Sequence, residues 1–125
     1  MNRFVWTATS GWVSVLIFCV TAAWPYLVRR GVGISLRSPH AWFGFAVLGA
    51  ALLHAFVPMP RMRGVDPAGI FLATLALIVM AWQALLGVGL AETQGEPRRR
   101  MRVTHFRVML LAVALTAGHV VLNRT

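Results

Sequence analysis

The sequence predicts an all-α polytopic membrane protein, a four-transmembrane-helix bundle, and three observations lead there. Hydrophobic residues make up 58% of the 125 positions and charged ones 12%, with a mean hydropathy of +0.72. The apolar residues fall into four long runs separated by short polar connections. The four histidines all lie within apolar stretches, in two pairs of equal spacing: His40 and His54 are fourteen residues apart, as are His105 and His119. A chain of this length is expected to form a single domain, residues 1–125.

The first apolar run, about 5–28, ends at Arg29-Arg30. Its stronger positive flank follows the run, so it is expected to remain as a span and not to be removed as a signal peptide. The second, about 40–57, is opened by Pro39 and closed by Pro58, and it is the shortest. The third, about 67–90, starts at a proline, and the fourth, about 103–122, follows Pro97. Proline is tolerated at helix starts, where its missing N–H has no partner to lose. At 1.5 Å per residue each run reaches across, or nearly across, a hydrocarbon core of about 30 Å.

The net charge of +9 comes from arginine alone. These arginines stand between apolar runs and form no soluble basic face, so they do not suggest a nucleic-acid partner. Arg29, Arg30, Arg37, Arg98, Arg99, Arg100, Arg102 and Arg107 lie at the first and third connections, while Arg3, Arg61, Arg63 and Arg124 lie on the other side. The positive-inside bias then makes the first and third connections cytoplasmic and puts both termini outside. Trp6, Trp24 and Trp42 fall near the expected interfaces. The halves show a weak internal repeat: Ala23-Trp24 with Gly31-Val32-Gly33 parallels Ala81-Trp82 with Gly87-Val88-Gly89, and Arg37 and Arg102 each precede a histidine by three residues.

The histidine spacing carries the chemistry. Fourteen residues are two heptads, which return a side chain to nearly the same helix face, drifting by about 40° in a straight helix. The axial rise is roughly 21 Å. The second and fourth runs are separated by one span and so run parallel, which pairs His40 with His105 near the cytoplasmic side and His54 with His119 near the outer side. Two imidazoles meeting from opposite directions are the ligand set for an iron porphyrin, and the spacing predicts two haems. The other ring N–H of each ligand needs an acceptor, and the carbonyl four residues earlier in the same helix is the expected one.

Around these positions Gly44, Gly118, Ala50 and Ala51 are small enough for close approach of a macrocycle or a facing helix. Arg37 and Arg102 are candidates for haem propionates, or else snorkel to the membrane surface. The single cysteine, Cys19, sits in an apolar run, so a thioether attachment for haem is absent and the haems would be held non-covalently. A proton relay would call for carboxylates, but Asp66, Glu92 and Glu96 lie in or beside connections. Zinc would call for clustered ligands. Trp82 and Gln83 are candidates for a quinone headgroup and are equally accounted for by packing. No catalytic residue is assigned.

The H-x13-H pattern on the second and fourth spans resembles the di-haem core of cytochrome b from quinol-oxidising bc complexes and the membrane domains of ferric reductases and NADPH oxidases. The stretch from His105-Phe106-Arg107 to Gly118-His119-Val120-Val121-Leu122-Asn123 is similar to small four-helix b-type cytochromes of bacteria. The resemblance implies haem b held by His40 with His105 and by His54 with His119. It also implies the inner (cytoplasmic) membrane of a bacterium and electron exchange with a partner subunit or the quinone pool. The chain lacks a Pro-Glu-Trp-Tyr segment and room for a nucleotide-binding domain. An electron-transfer subunit is therefore expected ahead of a stand-alone quinol, ferric or reactive-oxygen oxidoreductase, or a haem-free membrane anchor.

Overall fold

The computed structural model describes residues 3–27, 39–56 and 66–123. All four expected helices are present: α1 (Arg3–Leu27), α2 (Pro39–Phe56), α3 (Pro67–Glu92) and α4 (Gly95–Leu122). The chain is all-α, as its composition predicts. Arg37, Arg29, Arg30, Arg61, Arg63, Arg124 and the run ends at 28 and 57 lie outside the described residues.

Helices α2, α3 and α4, of 18, 26 and 28 residues, are each long and apolar enough to cross a membrane. At 1.5 Å per residue they measure about 27, 39 and 42 Å. The described apolar part of α1, Thr9–Pro25, lies within a helix of 25 residues. Large apolar side chains cover the outer faces, with Leu85 71% exposed and Trp42 68% exposed. Faces of this kind belong in lipid, and the protein is a polytopic membrane protein.

The helices gather as two compact units, Met1–Pro60 and Arg61–Thr125. Each unit is a helix followed by a histidine-bearing helix, in keeping with the two-part repeat in the sequence. In the first, Gly11 faces His54 while Thr21 faces His40, so α1 and α2 run antiparallel. In the second, Gly69 meets Asn123 and Gly87 meets His105, so α3 and α4 are antiparallel too. Trp24 of α1 packs on Phe43 of α2 with ring centroids 5.5 Å apart and a 60° tilt, so this tryptophan joins two helices.

Local chemistry explains the ends. Asp66 caps α3 by accepting from the Ala68 N–H at 2.9 Å, and Pro67 opens the helix. At its other end Thr93 N–H and Oγ1 both reach the Gly89 carbonyl, at 3.0 and 2.6 Å. The greatest departure from expectation is the start of α4, at Gly95 instead of about 103. Gly95 has φ +70, a value that suits glycine, and it turns the chain after only Thr93 and Gln94. Glu96 then suits the positive end of the helix dipole, and Pro97 falls in the first turn where its N–H is not needed. The arginines that follow interrupt the apolar run but are good helix formers, so the helix continues through them.

Hydroxyls inside the helices are satisfied by the carbonyl four residues back: Ser14 on Ser10 at 2.9 Å, Thr21 on Ile17 at 2.8 Å and Thr116 on Ala112 at 2.8 Å. That keeps these side chains from presenting unpaired polar groups to hydrocarbon.

Candidate functional site

Each histidine turns towards the helix that precedes its own. His40, at the start of α2, places Nδ1 3.1 Å from the Thr21 carbonyl oxygen of α1. A carbonyl only accepts, so Nδ1 carries the proton and donates, and the lone pair of this tautomer is on Nε2. The reason Thr21 is the partner lies four residues further on. Residue 25 is proline, set inside α1, and it supplies no N–H to the Thr21 carbonyl.

His54, two heptads later, has Nδ1 3.1 Å from the Ser10 hydroxyl. Gly11, next to Ser10, allows the ring to lie close: a Cβ there would stand 3.1 Å from His54 Cε1. The fourteen-residue spacing thus puts both α2 histidines on the face that meets α1, as the two-heptad argument requires.

The second unit repeats the arrangement. His119 places Nδ1 2.9 Å from the Gly69 carbonyl of α3. Asn123 Nδ2 lies 3.0 Å from the same nitrogen and 2.8 Å from the His119 carbonyl. One proton on Nδ1 serves one bond. Gly69 can only accept, so it takes that proton, and the Asn123 amide donates to the His119 carbonyl. A Cβ at Gly69 would fall 2.5 Å from Asn123 Nδ2, so the amide would have to shift to admit one. His105 lies over Gly87, whose Cβ would be 3.6 Å from His105 Cε1.

For His40, His54 and His119 the ring partner thus lies on the neighbouring helix and not in the histidine's own helix. In a regular helix the carbonyl four residues back already accepts the histidine's own backbone N–H, whereas the facing helix offers an acceptor at the right depth. Ser10, Gly11, Thr21, Pro25, Gly69, Gly87 and Asn123 complete the surroundings and were not singled out as ring partners by the spacing argument. Pro25 is the signal available in the sequence, since a proline inside a helix always leaves the carbonyl four residues earlier without its usual donor.

The small residues divide by role. Among the described residues, a Cβ on Gly44, one turn after His40, meets nothing within 4 Å. Gly118 instead faces α3, where a Cβ would stand 3.0 Å from Leu72 Cδ1, and its smallness serves helix packing. Arg102 is exposed on α4, three residues before the half-buried His105. Cys19 is a free, exposed thiol on α1. Among the described residues no three His, Cys, Asp or Glu side chains gather into a metal-binding cluster. Within one helix the two histidines are separated by a rise of roughly 21 Å, so the two rings lie far apart.

Comparison of the chain with protein-family models, curated proteins and solved structures found no match.

Proposed function

We propose that the chain is a membrane b-type cytochrome that carries electrons across the bilayer, with His40 and His105 holding one haem b and His54 and His119 the other. The observation that carries this reading is the shared treatment of three of the four imidazoles. His40 and His119 donate Nδ1–H to carbonyls of the preceding helix, at 3.1 and 2.9 Å, and His54 meets a serine hydroxyl through the same nitrogen. An anchored Nδ1 fixes the ring and leaves Nε2 as the basic nitrogen, which is how metal-ligating histidines are usually supported. When bound, haem b supplies one-electron redox chemistry, and two imidazoles complete the coordination of its iron.

The residues of this chain do the rest of the work. Thr21, Ser10 and Gly69 hold the rings in one orientation. Gly11 and Gly87 let the rings lie against the preceding helix, and among the described residues nothing crowds a Cβ at Gly44, one turn from His40. The apolar helices exclude water. Arg102, and Arg37 from the first connection, supply positive charge for haem propionates.

In this reading the protein is an electron-transfer subunit in a bacterial inner membrane, exchanging electrons with a partner subunit or with quinone. The arginine-rich connections are cytoplasmic and both termini are outside. The pairing is tested by His54→Ala and His119→Ala, each scored by haem content and by spectrum. Either substitution is expected to remove one haem and retain most of the other. Retention of both haems in either variant would refute the outer pairing.

A further inference from the structure

We propose that Pro25 is a positioning residue that sets the tautomer of His40. Its place is inside α1, two residues before the helix ends at Leu27, where a residue with an N–H would bond the Thr21 carbonyl and continue the ladder. Proline removes that donor, and its ring crowds the carbonyl four residues back. A carbonyl stripped of its donor within a membrane helix requires another, and a side chain of the neighbouring helix can supply it. His40 Nδ1 meets the same oxygen at 3.1 Å from the neighbouring helix. The Thr21 hydroxyl is already committed to the Ile17 carbonyl at 2.8 Å, so the backbone oxygen is the group that the imidazole addresses.

The consequence runs from one backbone atom to a ring nitrogen 15 positions along the sequence from Pro25. A carbonyl left without its residue-25 donor can only accept from His40, which holds the proton on Nδ1 and the lone pair on Nε2. Any group that takes an imidazole through Nε2 then finds His40 already in the right form and orientation. This last point rests on the haem reading, whereas the tautomer itself does not.

The test is nitrogen-15 solid-state NMR of the full chain in lipid bilayers, with the ring nitrogens of His40 assigned through its own backbone and any haem kept in its reduced, diamagnetic form. The wild-type chain is expected to show a protonated, hydrogen-bonded Nδ1. Pro25→Ala restores an N–H at position 25 that competes for the Thr21 carbonyl, and the hydrogen-bonded Nδ1–H signal of His40 is expected to be lost while that of His119 is kept. Lactate at position 25, the oxygen analogue of alanine, again lacks an N–H and is expected to return the signal. A merely structural proline would not be rescued in this way.

A wild-type His40 protonated on Nε2 would overturn the proposal without any variant being needed. So would an unchanged Nδ1 signal in Pro25→Ala. Because the signal is read with or without haem, a colourless chain that keeps it would count against the cytochrome reading alone.

Discussion

At the scale of single residues, the account turns on glycines and on what stands opposite them. A Cβ at position 11 would lie 3.1 Å from His54 Cε1, whereas one at position 49 meets nothing within 4 Å. Gly11→Ala is therefore expected to displace the His54 ring and cost about 1–3 kcal/mol, the range for overpacking, while Gly49→Ala is tolerated. Unfolding of both variants in detergent, with the haem spectrum recorded alongside, checks the difference. Gly44 gives a sharper result. Gly44→Phe meets no protein atom of the described residues near its Cβ, so the fold is expected to survive; the bulky ring would fill the space beside His40 and lower haem content. Normal haem in a folded Gly44→Phe chain would mean that this face is not where the macrocycle lies. The histidines themselves were legible in the sequence because fourteen is a multiple of the heptad. Their ring partners were not, because Ser10, Thr21 and Gly69 meet them across a helix pair, and spacing along one helix is silent about depth along the next.

At the scale of elements, length and capping follow from local chemistry. Asp66 accepts the Ala68 N–H at 2.9 Å and is the side-chain cap of α3. Asp66→Ala is expected to destabilise the chain by about 1 kcal/mol, measured by denaturant unfolding in detergent. By contrast Glu96 and Arg100 form an ion pair at 3.2 Å that is 58% and 81% exposed respectively. Glu96→Gln is expected to change stability by no more than about 0.3 kcal/mol, since water screens such pairs. The three helix starts marked by Asp66-Pro67, Pro39 and the N-terminal apolar run were close to the sequence reading. The start of α4 was not, because arginines look like a connection by hydropathy while their helix propensity and a wet membrane surface favour another two turns of helix.

At the scale of the whole molecule, the expected orientation rests on charge and the proposed function on the histidines. Eight of the 12 basic residues fall at the first connection or in the N-terminal half of α4, all of them arginine. The positive-inside bias then predicts that a reporter active only outside the cytoplasm works when fused after Thr125, and that a cytoplasmic reporter fused there is silent; the reverse pattern would contradict the assigned topology. The membrane class and the helix count were legible at this scale because lipid demands long apolar runs with every backbone group bonded internally. The proposed haem binding rests on a constellation of four imidazoles, each set against its preceding helix. The measurement that tests this most directly is a pyridine haemochrome assay with a reduced-minus-oxidised spectrum, expressed as haem per purified chain. The account predicts two haems b per chain; a folded chain from haem-replete cells that carries none would contradict it.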